Sequence, residues 1–404
     1  MRTERPGREA PQGEPSQPRG QSAATPSDEQ FAFAFALASP SDEPEIRRLV
    51  GATPMPGAVA IRFEREPDYF LGCSIMGDPC DVLIARHLPD GGLAGMLCRA
   101  ERAAFVNGRE SRIGYIGQIR AADRYRGRWL LQRGLPLFRH HSPPGMLYFG
   151  VMAHENPRAR GVLIERRPPG GLRSARLAGW STYAIVLRAS GRGRADRVGP
   201  AGRTPGLTVE WGTPERLEEI VAFLRRVGAR RQLYPVYRVE DFLDGRRMRG
   251  LALDDIAVAR RGGSIAGVMA SWDQTAYKQD VIDDLGPTLR RIRPAYDLGA
   301  RVIGARPLPA EGQMLRSSFA ACVAIEANDL DVMRALLRDA CARAHSRGHT
   351  YLTLGLADDD PLLAATRRGL HITYHSDLYV LSWDVPDPSA GLDGRLPYIE
   401  IATL

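Results

Sequence analysis

Residues 111–129 read SRIGYIGQIRAADRYRGRW, and this stretch decides the fold. Its first part alternates apolar residues with glycine and polar residues up to Ile119, which predicts a β-strand. The chain then turns through residues 124–128 and enters a helix at Trp129. A tight strand-to-helix turn leaves backbone N–H groups free at the positive end of the helix dipole, where phosphate commonly binds. Nearby arginines add positive charge to this predicted anion site, namely Arg120, Arg124, Arg126 and Arg128.

The turn also resembles the acetyl-CoA-binding loop of the GNAT acyltransferase superfamily, which reads Gln/Arg-x-x-Gly-x-Gly/Ala. Arg124 and Gly127 match this pattern, and Trp129 stands where the family has a second small residue. The resemblance implies that acetyl-CoA is the co-substrate, held at its pyrophosphate by the N–H groups of residues 125–129 and at its pantetheine arm by the strand before them. The implied cofactor-binding residues in this stretch are Ile119, Ala121, Arg124, Tyr125, Arg126, Gly127, Arg128 and Trp129.

Other segments of the first half continue this resemblance. Residues 31–37 alternate Phe with Ala as a strand does, and residues 39–43 supply an N-cap and an acidic first turn for a helix. Asn156 and Ala159 match the residues that open a helix after the fifth strand of GNAT domains, so Asn156 joins the implied cofactor-binding set. Further strands of this half are predicted at 81–87, 93–106, 146–153 and 180–187.

The composition of successive segments divides the chain into four parts. Residues 1–30 are polar and rich in Pro and Gly, which predicts a disordered tail. Residues 31–190 are the predicted GNAT domain with the acetyl-CoA loop, and the Gly/Arg/Pro-rich residues 191–206 are a predicted linker. Residues 207–404 resemble a second, degenerate GNAT-like domain. The expected fold class is α/β, with two tandem acyl-CoA N-acyltransferase folds, each a mixed, mostly antiparallel twisted sheet flanked by helices.

The second half lacks the phosphate turn. Residues 324–330 read AIEANDL where the loop pattern is expected. The acidic side chains of Glu326, Asp329 and Asp331 stand at the start of a predicted long helix, where they would repel a pyrophosphate. We therefore expect that this half does not bind CoA in the usual way.

The overall composition narrows the functional classes. The formal net charge is +8, but the arginines are spread over both halves and no nucleic-acid-binding motif is present, so we expect no nucleic-acid partner. The five cysteines show no C-x-x-C and no zinc-site spacing, which predicts reduced thiols, a cytoplasmic location and no metal. No apolar run approaches the roughly 18 residues of a membrane span, and the polar N-terminal stretch is unlike a secretory signal.

Acyl transfer from a thioester needs an anchored pantetheine, an exposed carbonyl, a neutral amine and a path for its proton. Alignment of the two reactants contributes about 7–11 kcal/mol, and a general base acts directly or through water. We predict Glu155 and Tyr115 as the catalytic residues. Glu155 lies at the end of a predicted strand, where the substrate would bind, and Tyr115 faces either the core or the pocket. The other base candidates are Glu101, Gln118 and His154.

Two functions fit this sequence. The first is an N-acyltransferase that moves an acetyl or other acyl group to an amine of a small molecule or peptide. The second is a non-catalytic GNAT-fold protein that binds CoA or a small molecule, as the departure at Trp129 and the absence of the usual general-acid tyrosine after Asn156 indicate. The only lysine, Lys278, either lines a pocket between the domains or belongs to a capped surface helix. Residues 65–70, REPDYF, resemble a string found in bacterial GNAT proteins and otherwise read as packing residues.

Overall fold

The structure is a computed structural model, and it describes residues 32–404 except 58, 129, 155, 157–159, 162–163, 165–170, 190–204 and 368. The tail predicted at 1–30 and nearly all of the linker predicted at 191–206 lie outside the described residues. Within the described part of the chain, no helix has the length and apolar character that crossing a bilayer requires.

The described elements alternate between strands and helices. The strands are β1 (Phe33–Leu37), β2 (Val59–Glu64), β3 (Cys80–His87), β4 (Leu93–Val106), β5 (Arg109–Ala121), β6 (Tyr148–Ala153), β7 (Arg173–Val186), β8 (Leu207–Trp211), β9 (Ile256–Arg261), β10 (Ser264–Trp272), β11 (Gln279–Leu285), β12 (Ser317–Ile325), β13 (Tyr351–Ala357) and β14 (His371–Ser382). The α-helices are α1 (Glu43–Gly51), α2 (Phe70–Met76), α3 (Leu130–His141), α4 (Leu217–Gly228), α5 (Val239–Leu243), α6 (Pro287–Val302) and α7 (Leu330–Ser346).

Twelve of these strands form one continuous sheet, in the order β1-β3-β4-β5-β6-β14-β7-β13-β12-β10-β9-β8. The remaining two, β2 and β11, pair with each other in a small second sheet. Most neighbours in the large sheet are antiparallel, and the parallel pairs are β5 with β6 and β12 with β13. The expected α/β fold with a mixed, mostly antiparallel sheet in each half is therefore confirmed.

The two halves exchange their last strands at the centre of the sheet. Strand β14, from the second half, lies between β6 and β7, and it pairs with β7 along its whole length and with β6 through Ser376–Leu381. Strand β7, from the first half, lies between β14 and β13. Residues 180–187 were expected to close the first domain, but here they pair with strands of the second half on both sides. Whether residues 31–190 and 207–404 also behave as separate domains stays a prediction.

Each half contains one opening between parallel strands. Strands β5 and β6 pair only through Gly114–Tyr148 and Tyr115–Phe149. Three residues after the last pair, Gln118 has φ +53°, in a β-bulge of β5. The second half repeats this arrangement, because β12 and β13 pair as far as Phe319 and Cys322 then also has φ +53°. A bulge ends regular pairing and bends the strand, so both halves have the same backbone plan around an opening.

The helices bury apolar faces against the sheet. In α4, Leu217, Ile220, Val221 and Leu224 recur at helical spacing, and all four are buried in the core of the second half, as predicted. Burial of each large aliphatic side chain contributes about 1.5–3 kcal/mol. On the first half, α1 and α2 pack in one cluster and α3 in another. The helices therefore fix the sheet from which the functional residues project.

Three elements differ from what the local sequence suggests. Helix α3 continues through Gly134 and Pro136, although a proline inside a helix removes one backbone N–H donor. Residues 397–402 do not form a strand and end in a 3₁₀ turn at Ile401–Thr403. Helix α6 was not predicted, since the internal Pro294 and several arginines hide its pattern.

Candidate functional site

The predicted anion loop lies at the end of β5. A 3₁₀ turn covers Asp123–Tyr125, and α3 begins at Leu130. Gly127 has φ +87°, a left-handed conformation that favours glycine, and no atom lies within 4 Å of the position that a Cβ would take. Residues 126–128 are exposed. The loop is therefore open to solvent at Gly127, as an anion site requires.

Several N–H groups of this loop already have acceptors. The N–H groups of Tyr125, Arg126 and Arg128 each donate to the carbonyl oxygen three residues earlier, over 2.9, 3.2 and 3.3 Å. The N–H of Gly127 makes no backbone hydrogen bond within the described part of the chain. Fewer N–H groups are therefore free to bind an anion than the sequence predicted. They are the N–H of Gly127 and those of the first turn of α3, which have no acceptors within the helix.

Aspartate carboxylates contact several side chains of the loop. The Tyr125 side chain is buried, and its hydroxyl donates to Asp90 at 2.8 Å, so this ring is a core element rather than a side-chain contact for a cofactor. Arg124 lies over that ring at 4.6 Å and pairs with Asp90 at 3.2 Å, while Arg126 pairs with Asp123 at 2.6 Å. Exposed pairs of this kind contribute little, so both arginines remain able to turn to a phosphate.

The edge of β5 that faces the opening carries the groups predicted to hold a pantetheine. Successive strand residues direct their backbone groups to opposite edges. Ala122 N–H donates to Ala94 O of β4 at 2.9 Å. The backbone groups of Ala121 and Ile119 therefore point away from β4, into the opening. Ile119 directly follows the bulge at Gln118, so its N–H faces the place where a thioester carbonyl would lie.

Tyr115 lies at the closed end of this opening. Its ring packs against Phe149 at 5.3 Å, and the guanidinium of Arg102 lies 5.9 Å from its centre. Its hydroxyl lies over Gly117, where an added Cβ would be only 2.0 Å away. Burial raises the pKa of Tyr115 to about 12, so the hydroxyl is protonated at neutral pH and acts as a hydrogen-bond donor rather than a base.

The remaining predicted site residues lie at the end of β6. Glu155, like Trp129, lies outside the described residues, and its catalytic role stays a prediction. Asn156 is exposed, and its carbonyl accepts the N–H of Arg160 at 3.2 Å. His154 contacts Asp377 at 3.0 Å, within a surface group of arginines. Asn156 therefore lies just beyond the end of β6, and its role in cofactor binding stays a prediction.

A cluster of charged residues lies where β2 of the first half pairs with β11 of the second. We call it the seam cluster and define it as Arg65, Arg120, Lys278 and Asp280. The guanidinium groups of Arg65 and Arg120 both lie 5.5 Å from the ring of Phe63, which is paired with Asp280 across the strands. Arg65 is buried, and this burial lowers its pKa. The seam cluster therefore combines side chains that are distant in sequence.

Within the seam cluster, Lys278 has a pKa far from its ordinary value. Its ammonium donates to the backbone oxygens of Ala402 at 3.2 Å and Leu404 at 2.8 Å, and it lies 5.0 Å from the ring of Phe319. The loss of water around it, together with repulsion by Arg65, lowers the pKa of Lys278 to about 7. A large neutral fraction therefore exists near pH 7, which is the state that a general base requires.

The seam cluster contains buried polar atoms that have no partner. Within the described part of the chain, no hydrogen bond reaches Asp280 Oδ1, Arg120 Nε or the nearby Gln118 Oε1. Burial raises the pKa of Asp280, whereas Arg65 and Lys278 act in the opposite direction. Buried polar groups are normally satisfied, so these unpaired atoms distinguish the seam cluster from an ordinary core.

Arg102 connects the seam cluster to Tyr115. Its guanidinium lies 4.7 Å from the ring of Phe149 and donates to the hydroxyl of Thr403, in the same segment whose carbonyls accept from Lys278. Burial lowers the pKa of Arg102 to about 10. A series of contacts thus links the opening of the first half to the seam cluster.

The structure resembles solved N-acyltransferase structures. One is Saccharomyces cerevisiae N-myristoyltransferase with bound myristoyl-CoA, at a TM-score of 0.54 and 13% identity over 87% of this chain and 82% of that one. Another is a GCN5-related N-acetyltransferase from Sphaerobacter thermophilus, at 0.51 and 12% over 93% of this chain and 99% of that one. The chain has the GNAT fold. No family model matches its sequence, and no curated protein does either.

The two openings of this GNAT fold differ in what occupies them. In the second half, the side chain of Asp329 accepts the N–H groups of Asp331 and Val332 at the start of α7, over 2.8 and 3.2 Å. Glu400 accepts the N–H of Cys322, at the bulge, over 2.7 Å. In this half, carboxylates of the chain therefore accept the N–H groups at the helix start and at the bulge, and its inability to bind CoA stays a prediction.

The sequence contained signals for some members of the seam cluster and not for others. Lys278 stood out as the only lysine, and the structure shows it at the seam between the halves rather than on a surface helix. Arg65 lies in the REPDYF string, which was otherwise read as packing residues. Asp280 and Arg102 were missed, because nothing local distinguishes them from ordinary strand residues.

Proposed function

We propose that the protein transfers an acyl group from an acyl-CoA thioester to an amine. The observation that carries the proposal is the opening between β5 and β6, which combines the bulge at Gln118 with the open glycine loop at Gly127 and leads to the seam cluster. The second opening, although built on the same backbone, is filled. One acyl-CoA per chain is therefore expected.

Acyl-CoA would lie along the free edge of β5. The backbone groups of Ile119 and Ala121 would pair with the pantetheine arm, and Gly127 with the first turn of α3 would hold the pyrophosphate. Arg124, Arg126 and Arg128 would add charge, and Asn156 would border the arm from β6. Acetyl-CoA is the co-substrate that we propose, although the yeast neighbour was solved with myristoyl-CoA.

The chemistry needs an oxyanion donor and a proton acceptor. The N–H of Ile119 faces the opening next to the bulge and would stabilise charge on the thioester oxygen as the amine attacks. Lys278, with a pKa of about 7, would take the proton of the amine. Tyr115, protonated at neutral pH, would donate to the departing thiolate. Glu155 remains the alternative base.

The seam cluster also indicates the character of the acceptor. Asp280 interacts with Arg65 and Lys278, and Glu400 also interacts with Lys278, whereas the groups that act on Arg120 are Tyr69 and Tyr115. An acceptor amine that also carries a carboxylate would pair with a guanidinium in this surrounding. We propose an amino acid, a peptide or a related small molecule as acceptor. The free thiols of all five cysteines are consistent with a cytoplasmic location.

Binding of acetyl-CoA tests the loop. We expect acetyl-CoA to raise the melting temperature of the wild type by mass action, and we expect Gly127→Glu to remove the shift, because a carboxylate would then occupy the phosphate position. The matched control is Gly263→Glu, since Gly263 has a φ of +84°, close to that of Gly127, and also has no atom near its Cβ position.

Loss of the shift in Gly127→Glu with retention in Gly263→Glu supports the assignment. Equal loss in both variants, or no shift in the wild type at millimolar acetyl-CoA, contradicts it. Release of free CoA thiol with a panel of amino acids then tests transfer itself. No release with any amine, despite a clear acetyl-CoA shift, would favour the second candidate function.

That second candidate is a non-catalytic GNAT-fold protein that binds CoA or a small molecule. It is favoured by one observation, namely that the N–H groups of Tyr125, Arg126 and Arg128 donate within their own loop. Such a loop would bind CoA weakly. The lowered pKa of Lys278 favours the acyltransferase over this second candidate, because a cation with only a structural role would gain nothing from losing its charge.

A further inference from the structure

Three cysteine side chains meet in the first half. Cys73 lies on α2, Cys80 begins β3, and Cys98 lies in β4. Their Sγ atoms all lie within 4.8 Å of one another, and those of Cys80 and Cys98 are 3.6 Å apart. The whole chain has only five cysteines, so the convergence of three from different elements is a specific feature. We call this group the thiol cluster.

The backbone around the thiol cluster is closely fitted. Helix α2 is followed by Gly77, where an added Cβ would lie 2.2 Å from the carbonyl oxygen of Glu101 in β4. The N–H of Asp78 donates to that oxygen at 2.8 Å, and the N–H of Glu101 donates to Pro79 O at 2.9 Å. This tight connection holds Cys73 and Cys80 against β4, and therefore next to Cys98.

The chemistry of the thiol cluster fits a soft cation. Sulfur atoms bound to one metal at about 2.3 Å are separated by about 3.7–4.0 Å, which the observed spacing approaches. The hydroxyl of Tyr69 lies 3.8 Å from Cys98 Sγ and offers an oxygen beside the sulfurs.

We propose that Cys73, Cys80 and Cys98 bind one soft d¹⁰ cation, Zn²⁺ or Cu⁺, in a structural site. Thiolate ligands select these ions, and each thiol that binds the ion loses its proton to solvent. The ion would tie α2 and β3 to β4, where Cys98 is paired with Gly117 of β5. It would thereby support the floor of the opening without taking part in acyl transfer. This proposal replaces the sequence-based expectation that no metal is bound.

Metal content of the purified full-length chain tests this proposal. We expect about one equivalent of zinc or copper after expression in medium supplemented with that metal, and the ion found tells the two apart. Cys80→Ser is expected to reduce the content at least tenfold. Cys341→Ser is the matched control, because this cysteine lies on α7, away from the thiol cluster, and its loss should leave the content unchanged.

A second measurement does not depend on whether the variants fold. In the wild type, one equivalent of Zn²⁺ added to metal-free protein should protect three of the five thiols from a thiol reagent and raise the melting temperature by several degrees. The proposal is overturned if Zn²⁺ protects none of the thiols and the purified wild type contains no more metal than Cys80→Ser. A mass lower by two hydrogens, insensitive to chelator, also overturns it and assigns Cys80 and Cys98 to a disulfide.

Discussion

Replacement of Lys278 by methionine tests the seam cluster most directly. Methionine has a similar length and no charge, so Lys278→Met removes the titrating group with little change in packing. In the folded chain the pKa of Lys278 is about 7, against an ordinary value of 10.5. The unfolded chain therefore binds one more proton than the folded chain between these two values. Between these two pH values, the loss of this proton on folding lowers the free energy of unfolding of the wild type. This reduction becomes smaller as the pH rises.

The size of this effect follows from the two pKa values. The penalty is about 4 kcal/mol at pH 7 and about 2 kcal/mol at pH 9, because each unit of pKa difference corresponds to about 1.4 kcal/mol. Relative to Lys278→Met, the wild type should therefore gain about 2 kcal/mol in free energy of unfolding between these pH values. Urea denaturation of both proteins at pH 7 and pH 9 measures the difference, and groups common to both cancel.

The single lysine gives an independent readout. Labelling with ¹⁵N-lysine produces one side-chain amine signal, whose titration reports the pKa of Lys278 without assignment. If Lys278 is also the general base, kcat/KM of the wild type should rise about tenfold per pH unit below pH 7 and then level off. Lys278→Met should lose both the activity and this dependence. A titration near 10.5, or an unchanged stability difference between pH 7 and 9, would refute the argument.

Two further predictions concern the openings. Asp329→Ala removes the carboxylate that caps α7 and should lower the free energy of unfolding by about 0.5–2 kcal/mol in urea denaturation, whereas Asp331→Ala, which removes a nearby carboxylate but not the cap, should cost less. Equal losses would show that the cap is unimportant. Gly117→Ala should displace the hydroxyl of Tyr115, reduce acyl transfer and cost about 1–3 kcal/mol, while Gly51→Ala, with no atom near its Cβ position, should not destabilise. Unchanged activity and stability in Gly117→Ala would contradict the placement of Tyr115.

The shared backbone plan of the two halves explains how one site can be open and the other filled. Both halves have a left-handed bulge three residues after the last parallel pair, at Gln118 and Cys322. What differs is the side chains, since Gly127 leaves a helix N-terminus exposed and Asp329 caps one. Glu400 then closes the second bulge. A few residues therefore change an anion site into a structural contact on the same frame.

The sequence alone determined those features that depend on neighbouring residues. The strand-turn-helix at 111–129, the capped helix starts and the acidic turn at 324–330 follow from local conformational preference and charge. These were enough to predict the GNAT fold of both halves and the position of the glycine loop. They were also enough to predict that the second half lacks a phosphate turn.

Only the tertiary structure decided which distant residues meet. The exchange of β7 and β14 depends on pairing between the halves, and a strand's own sequence does not select its neighbour. The seam cluster joins Arg65 and Arg120 to Lys278 only because β2 pairs with β11. The thiol cluster likewise needs α2 to end against β4. Local sequence sets backbone conformation, but long-range packing sets desolvation, and desolvation is what gives Lys278 its chemistry.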